Sequence, residues 1–167
     1  VRSCSVQIYQ VDLADNLHMQ TGASSDINSS MRLIPVRSDP LHILWHYACG
    51  RMPDFVNKQD GPVGWVAWSH RGVQPLDDIA FPDSQKRYIF SKKFQLRFNT
   101  AFEEVIRSCG DVSRFGKTWL TPELIEGLIR LNRMGYAHSF EAWTTDAQPQ
   151  LAGGVWGIQI GSFISAS

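Results

Sequence analysis

No stretch of the 167 residues approaches the ~18–20 consecutive apolar residues of a membrane-spanning helix. The opening VRSCSVQIYQVDLAD also lacks the apolar core of a signal peptide, so no membrane partner is expected and a cytoplasmic location is. There is no excess of either charge: 16 Lys+Arg stand against 16 Asp+Glu, and global charge alone does not point to a nucleic-acid partner. Cysteine is scarce. Cys4, Cys49 and Cys109 are an odd, widely spaced trio without a C-x-x-C pair, which argues against a disulfide framework or a zinc site and for reduced, partly buried thiols. No glycine-rich phosphate loop precedes a helix, so no cofactor is expected. The first residue is Val, which reads as a fragment or a processed product.

What is present belongs to a globular protein. With 43% hydrophobic residues and six tryptophans, a chain of this length buries a true core. Residues 1–30 are rich in Ser, Asn, Asp and Gly and read as loop or disordered. Residues 31–63 form a small N-terminal helical domain. Its helix starts at Ser38 or Asp39 with Pro40 at the first position, stops at Gly50, and has Leu41, Leu44, Trp45 and Ala48 as its apolar face. His42 and His46 lie four apart on it, but nothing supplies a third metal ligand, so they read as ordinary helix residues. The stretch MPDFVNKQDGPVG is the linker candidate, with a boundary near Gly61 to Gly64.

Residues 64–167 form the main domain. GWVAWS and FQLRF read as strands, and NTAFEEVIRSCG as a helix capped by Asn99 or Thr100 with Phe102, Val105, Ile106 and Cys109 buried. TPELIEGLIRLNRMG is a second helix with Thr121 as cap, Pro122 next, Arg130 and Arg133 near its negative end, and Gly135 as stop. AHSFEAW and LAGGVWGIQI are two further strands around a polar loop. Strand, helix, helix, strand, strand suits an α/β (α+β) domain in which two helices cover a mostly antiparallel sheet.

On the strand after Gly135, the two-residue period places Ser139, Glu141 and Trp143 on one face and His138, Phe140 and Ala142 on the other. Glu141 is expected to make a charge-assisted structural bond. His138 is expected to fix the helix–strand junction by hydrogen bonding, although histidine is also a common proton relay. Gly153 and Gly154 inside a strand imply a bulge or the close approach of another backbone.

The series TWLT, MGYAHSFEAW and AGGVWG, preceded by WSHRGVQPLDD and SDPLHILWHYACGRMPDF, resembles the leucyl/phenylalanyl-tRNA–protein transferase family over roughly Leu33 to Ser162. The resemblance implies a GNAT-like, mostly antiparallel sheet with flanking helices, incomplete at its C-terminus, and transfer of Leu or Phe from aminoacyl-tRNA to the N-terminal Lys or Arg of a protein, the tagging step of an N-degron pathway. Partners would be the aminoacyl-tRNA and the acceptor N-terminus, with no metal. Trp119 matches a family tryptophan near the active site, and Gly153, Gly154 and Trp156 would complete the surface for the tRNA 3′ end. Lys86, Arg87, Lys92 and Lys93, interleaved with Tyr88, Phe90 and Phe94, would contact the tRNA.

Three features depart from the family pattern. Asp54 stands where the family has a tryptophan, SFISAS replaces its G-E-S-M-F-S strand, and the strand carrying its catalytic Asp and Gln has no counterpart within residues 1–167. No catalytic residue is therefore assigned. The expectations are an aminoacyltransferase, fragmentary or impaired as given, or an inactive relative that keeps tRNA or protein binding. Residues 158–164 are expected to form a terminal strand with an unpaired edge and an uncovered apolar face.

Overall fold

The structure, a computed structural model, describes residues 36–55, 61–67, 72–75, 77, 79, 81–83, 86–87 and 92–166. It is a mixed α/β structure with two antiparallel sheets. The smaller is a hairpin of β1 (Arg51–Phe55) and β2 (Val63–Ala67). The larger has four strands in sequential order: β3 (Phe94–Phe98), β4 (Ala137–Thr144), β5 (Leu151–Ile160) and β6 (Phe163–Ala166). Helices α1 (Pro40–Ala48), α2 (Phe102–Cys109), a short α3 (Val112–Phe115) and α4 (Pro122–Arg133) complete the described elements.

α4 forms as its punctuation dictates. The Thr121 hydroxyl accepts from Leu124 N–H, Pro122 fills the first turn, and Gly135 takes φ 82° at the stop. Its Leu124, Leu128 and Leu131 are fully buried beside Val105 and Ile106 of α2, and both helices lie on one face of the large sheet. The anticipated α2 stripe is the buried one: Phe102, Val105 and Ile106 enter the core and Cys109 packs against it. Among the described residues Cys49 and Cys109 form no disulfide, and both are half-buried.

Four readings need correction. α1 buries Ile43, His46 and Tyr47; of its expected face only Leu44 packs against the core, while Leu41, Trp45 and Ala48 are exposed. The reason lies in α4, where Gly127 leaves room for Ile43 Cδ1 at the place a Cβ would occupy, with Ser38 O 2.9 Å from it. The linker candidate carries β1 and the first residues of β2, and Arg51↔Ala67 through Phe55↔Val63 pair across it. Residues 158–164 are not one strand. They turn at Gly161, φ 58°, so that Ile160 pairs with Phe163 and β6 becomes the edge strand of the described sheet. Finally, α2 takes no cap from the side chain of its own N-cap residue, Ala101.

Candidate functional site

The centre of the main sheet is organised by Glu141. It sits in mid-β4 on the helix-covered face, 1% exposed, at the N-terminus of α2. Its carboxylate accepts from Ala101 N–H at 3.0 Å, Thr100 N–H at 2.9 Å, the Ser139 hydroxyl at 2.6 Å, the Thr100 hydroxyl and, more distantly, the Trp143 indole at 3.4 Å. Glu141 therefore caps α2 from another strand, and its charge faces the positive end of that helix. Burial alone would push its carboxyl up, but the bonds from Ser139, Thr100, Ala101 and Trp143 outweigh burial and hold it below the ordinary carboxylate range. The expected charge-assisted structural bond is thus present, five donors strong.

His138 behaves otherwise. Both of its ring nitrogens are buried without a hydrogen-bond partner, and its ring stacks on Phe98 at 5.4 Å. The residue that fixes the helix–strand junction is Asn132, whose Nδ2 donates to Ala137 O at 2.8 Å and Asn99 Oδ1 at 2.6 Å. That reverses the expectation for His138. Asn132 escapes sequence reasoning because a solvent-side asparagine near a helix end carries no signal of its own. Asn99, at φ 56°, reads in the sequence only as a candidate cap.

Of the two features expected of glycines within a strand, a bulge lies beside Gly153, and what approaches Gly154 is a side chain and not another backbone. Ala142 pairs with Gly153 but Trp143 with Leu151, so β5 carries a bulge at Ala152. A Cβ on Gly154 would lie 2.7 Å from Val105 Cγ2, so the chain that approaches there is this protein's own α2. A Cβ on Gly153 would meet nothing within 4 Å. Beside the pair, Val105, Ser108, Cys109 and Leu151 line a cavity of about 200 Å³.

Trp119 packs half-buried against Trp156, with ring centroids 6.0 Å apart. Trp156 is a core residue, 1% exposed, so only Trp119 of the two has an accessible face. Lys86, Arg87, Lys92 and Lys93 are all exposed; Lys86 lies 3.5 Å from Asp83, and Lys92 and Lys93 immediately precede β3. Arg97 is drawn inward over the Trp143 ring at 4.6 Å. Tyr88 and Phe90 of the basic run lie outside the described residues. Asp54 pairs with Gly64 in the small hairpin and its carboxylate accepts from Phe55 N–H at 2.7 Å. Among the described residues no group of three or more His, Cys, Asp or Glu could hold a metal, and no helix is long and apolar enough to cross a membrane.

The family model described as leucyl/phenylalanyl-tRNA protein transferase matches residues 73–167. The chain belongs to this family. A leucyl/phenylalanyl-tRNA–protein transferase of Chlorobaculum tepidum is 38% identical over 120 residues, 71% of this chain and 60% of that protein. One from Anaeromyxobacter dehalogenans strain 2CP-C is 39% identical over 128 residues, 74% of this chain and 52% of that protein. The chain thus spans about half to three fifths of the length of the curated relatives it matches. The family match includes Trp119, the Glu141 strand and both glycines.

Proposed function

We propose that this chain carries the part of an aminoacyltransferase that receives the 3′ end of Leu- or Phe-tRNA, for transfer of the amino acid to the N-terminal Lys or Arg of a protein that is thereby marked for degradation. The observation that supports it most is the family match through residues 73–167, which includes Trp119, Gly153 and Gly154. The reaction is aminolysis: the neutral α-amine attacks the ester carbonyl and forms the C–N bond, the C–O bond to the terminal ribose breaks, and the proton lost by the amine ends on the leaving ribose hydroxyl. An α-amine with a reference pKa of about 7.7–8.0 is partly neutral near pH 7, so the site has chiefly to position it. Gly153, bare on its open side, lets a ribose–phosphate backbone approach the sheet. Trp119 offers a stacking face for the terminal base. Lys86, Arg87, Lys92 and Lys93 supply phosphate contacts that hold the acceptor stem. Trp156 acts through Trp119, by holding its ring.

A second reading, a relative that binds tRNA or protein without turnover, has Asp54 in its favour. A carboxylate at a position where the family has an aromatic residue repels a phosphate and stacks on nothing. Radiolabelled Leu-tRNA and an Arg-initiated peptide separate the two. The chain alone is expected to bind with steep salt dependence and not to transfer, since the family's Asp and Gln strand has no counterpart within residues 1–167; with that family segment joined to it, label in the peptide supports the transferase and binding without label supports the second reading. The fourfold Ala variant of the lysines and arginine should lower the salt slope by ~0.7–0.9 for each phosphate no longer neutralised. Equal binding by that variant and the wild type overturns the tRNA surface.

A further inference from the structure

α1 carries two histidines one helical turn apart, and the fold turns their rings toward each other: His42 Nε2 and His46 Nε2 are 3.3 Å apart. We propose that His42 and His46 form a two-nitrogen chelate for a divalent first-row transition cation such as Ni²⁺, Cu²⁺ or Zn²⁺, with water completing its coordination. Two metal–imidazole bonds of about 2.0–2.1 Å opened to a tetrahedral angle separate their nitrogens by about 3.3–3.4 Å. The i, i+4 spacing is also the one by which helices present paired histidines to a metal.

The donors are held in place before any ion arrives. His46 is fully buried and lies flat on Trp65, with ring centroids 4.2 Å apart and an interplanar angle of 5°, so its ring has little freedom left to lose. His42 is only half-buried and keeps the pair reachable. Both Nδ1 atoms are buried without a hydrogen-bond partner. Without an ion, one Nε2–H must donate to the other Nε2. On binding, that proton moves to Nδ1 of its own ring, so both Nε2 lone pairs reach the metal and the pair releases no proton. With imidazoles as the only protein donors, the site favours borderline cations over Mg²⁺ and Ca²⁺.

The test is calorimetric titration of the whole, chelator-treated chain with Ni²⁺, with tryptophan emission read in parallel. One site per chain is expected, with partial quenching of tryptophan emission, since the Trp65 and Trp45 rings both lie against His46. His42→Gln and His46→Gln should each weaken binding at least tenfold, and His138→Gln should leave it unchanged. If His46→Gln unfolds, His42→Gln decides, its fold being checked by circular dichroism. No binding up to millimolar Ni²⁺, or a folded His42→Gln that binds like wild type, overturns the proposal.

Discussion

The two faces of the main sheet follow opposite rules. On the face covered by α2 and α4, Ala137, Ser139, Glu141, Trp156 and Ile158 are buried, and the one charged group among them is satisfied by five donors. On the other, Leu96, Phe98, Phe140, Val155 and Ile164 are exposed, and His138 has no partner for either ring nitrogen. Side chains alternate along every strand, so the two faces are built from the same segments, one residue apart. A buried carboxylate is thus tolerated where its hydrogen bonds are complete, while side chains on the open face contribute less than core residues because they leave only part of their water behind.

Removing the satisfied charge should have the largest effect. Glu141→Ala strands the Ala101 and Thr100 N–H groups and the Ser139 hydroxyl, each costing ~1–3 kcal/mol when buried without a partner. An expected loss of about 3 kcal/mol or more should appear in urea unfolding. A loss below ~1 kcal/mol would mean that α2 does not depend on this remote cap.

The adjacent glycines sharpen the same contrast. Gly154→Ala pushes a methyl against Val105 Cγ2, which stands 2.7 Å from the Cβ position, and should cost ~1–3 kcal/mol as overpacking does. Gly153→Ala meets open space and should change stability by less than ~0.5 kcal/mol. Equal costs would erase the difference between the faces.

Titration separates satisfied from unsatisfied buried groups, measured with chelator present. His46 has its folded pKa lowered to about 4 from 6.5, so the unfolded chain binds the extra proton in that window and stability falls as pH drops from about 6.5 to about 4. Glu141, whose folded pKa lies below its usual value, stabilises above about 4.5 and loses that contribution as pH falls through its folded pKa. His46→Gln should flatten the upper window only, and Glu141→Gln the lower one only. The smallest effect is expected on the open face, where Leu96→Thr, at a residue 71% exposed, should shift stability by less than ~0.5 kcal/mol.

Much of this is legible in the sequence where local chemistry and pattern agree. α4 announces itself by Thr121, Pro122 and Gly135, and the two-residue period sorts Ser139, Glu141 and Trp143 onto one face, Ala137 adding to it. The partners of Glu141 are not legible, because Thr100 and Ala101 lie 41 and 40 residues away. α1 offers two apolar stripes, and the choice between them is made by Gly127 on another helix. The β1–β2 hairpin hides behind Pro53 and Gly61, residues that punctuate a linker and an edge hairpin alike. Gly161 reads as one more residue of a strand until its positive φ turns the chain. Of the candidate site, the glycine pair and Trp119 are legible by motif, whereas the burial of Trp156 and the inward pull on Arg97 depend on packing.

The assignment of the open side of Gly153 to the 3′ end of an aminoacyl-tRNA is tested most directly by Gly153→Val. Wild type and variant should both unfold cooperatively in urea, the variant no less stable than wild type, since a Cβ there touches nothing within 4 Å and a β-branched residue suits a strand better than glycine. In a fluorescence titration with Leu-tRNA at low salt, the wild type should bind and the variant should bind at least tenfold more weakly. Equal affinity in the two, with both folded, would contradict the assignment.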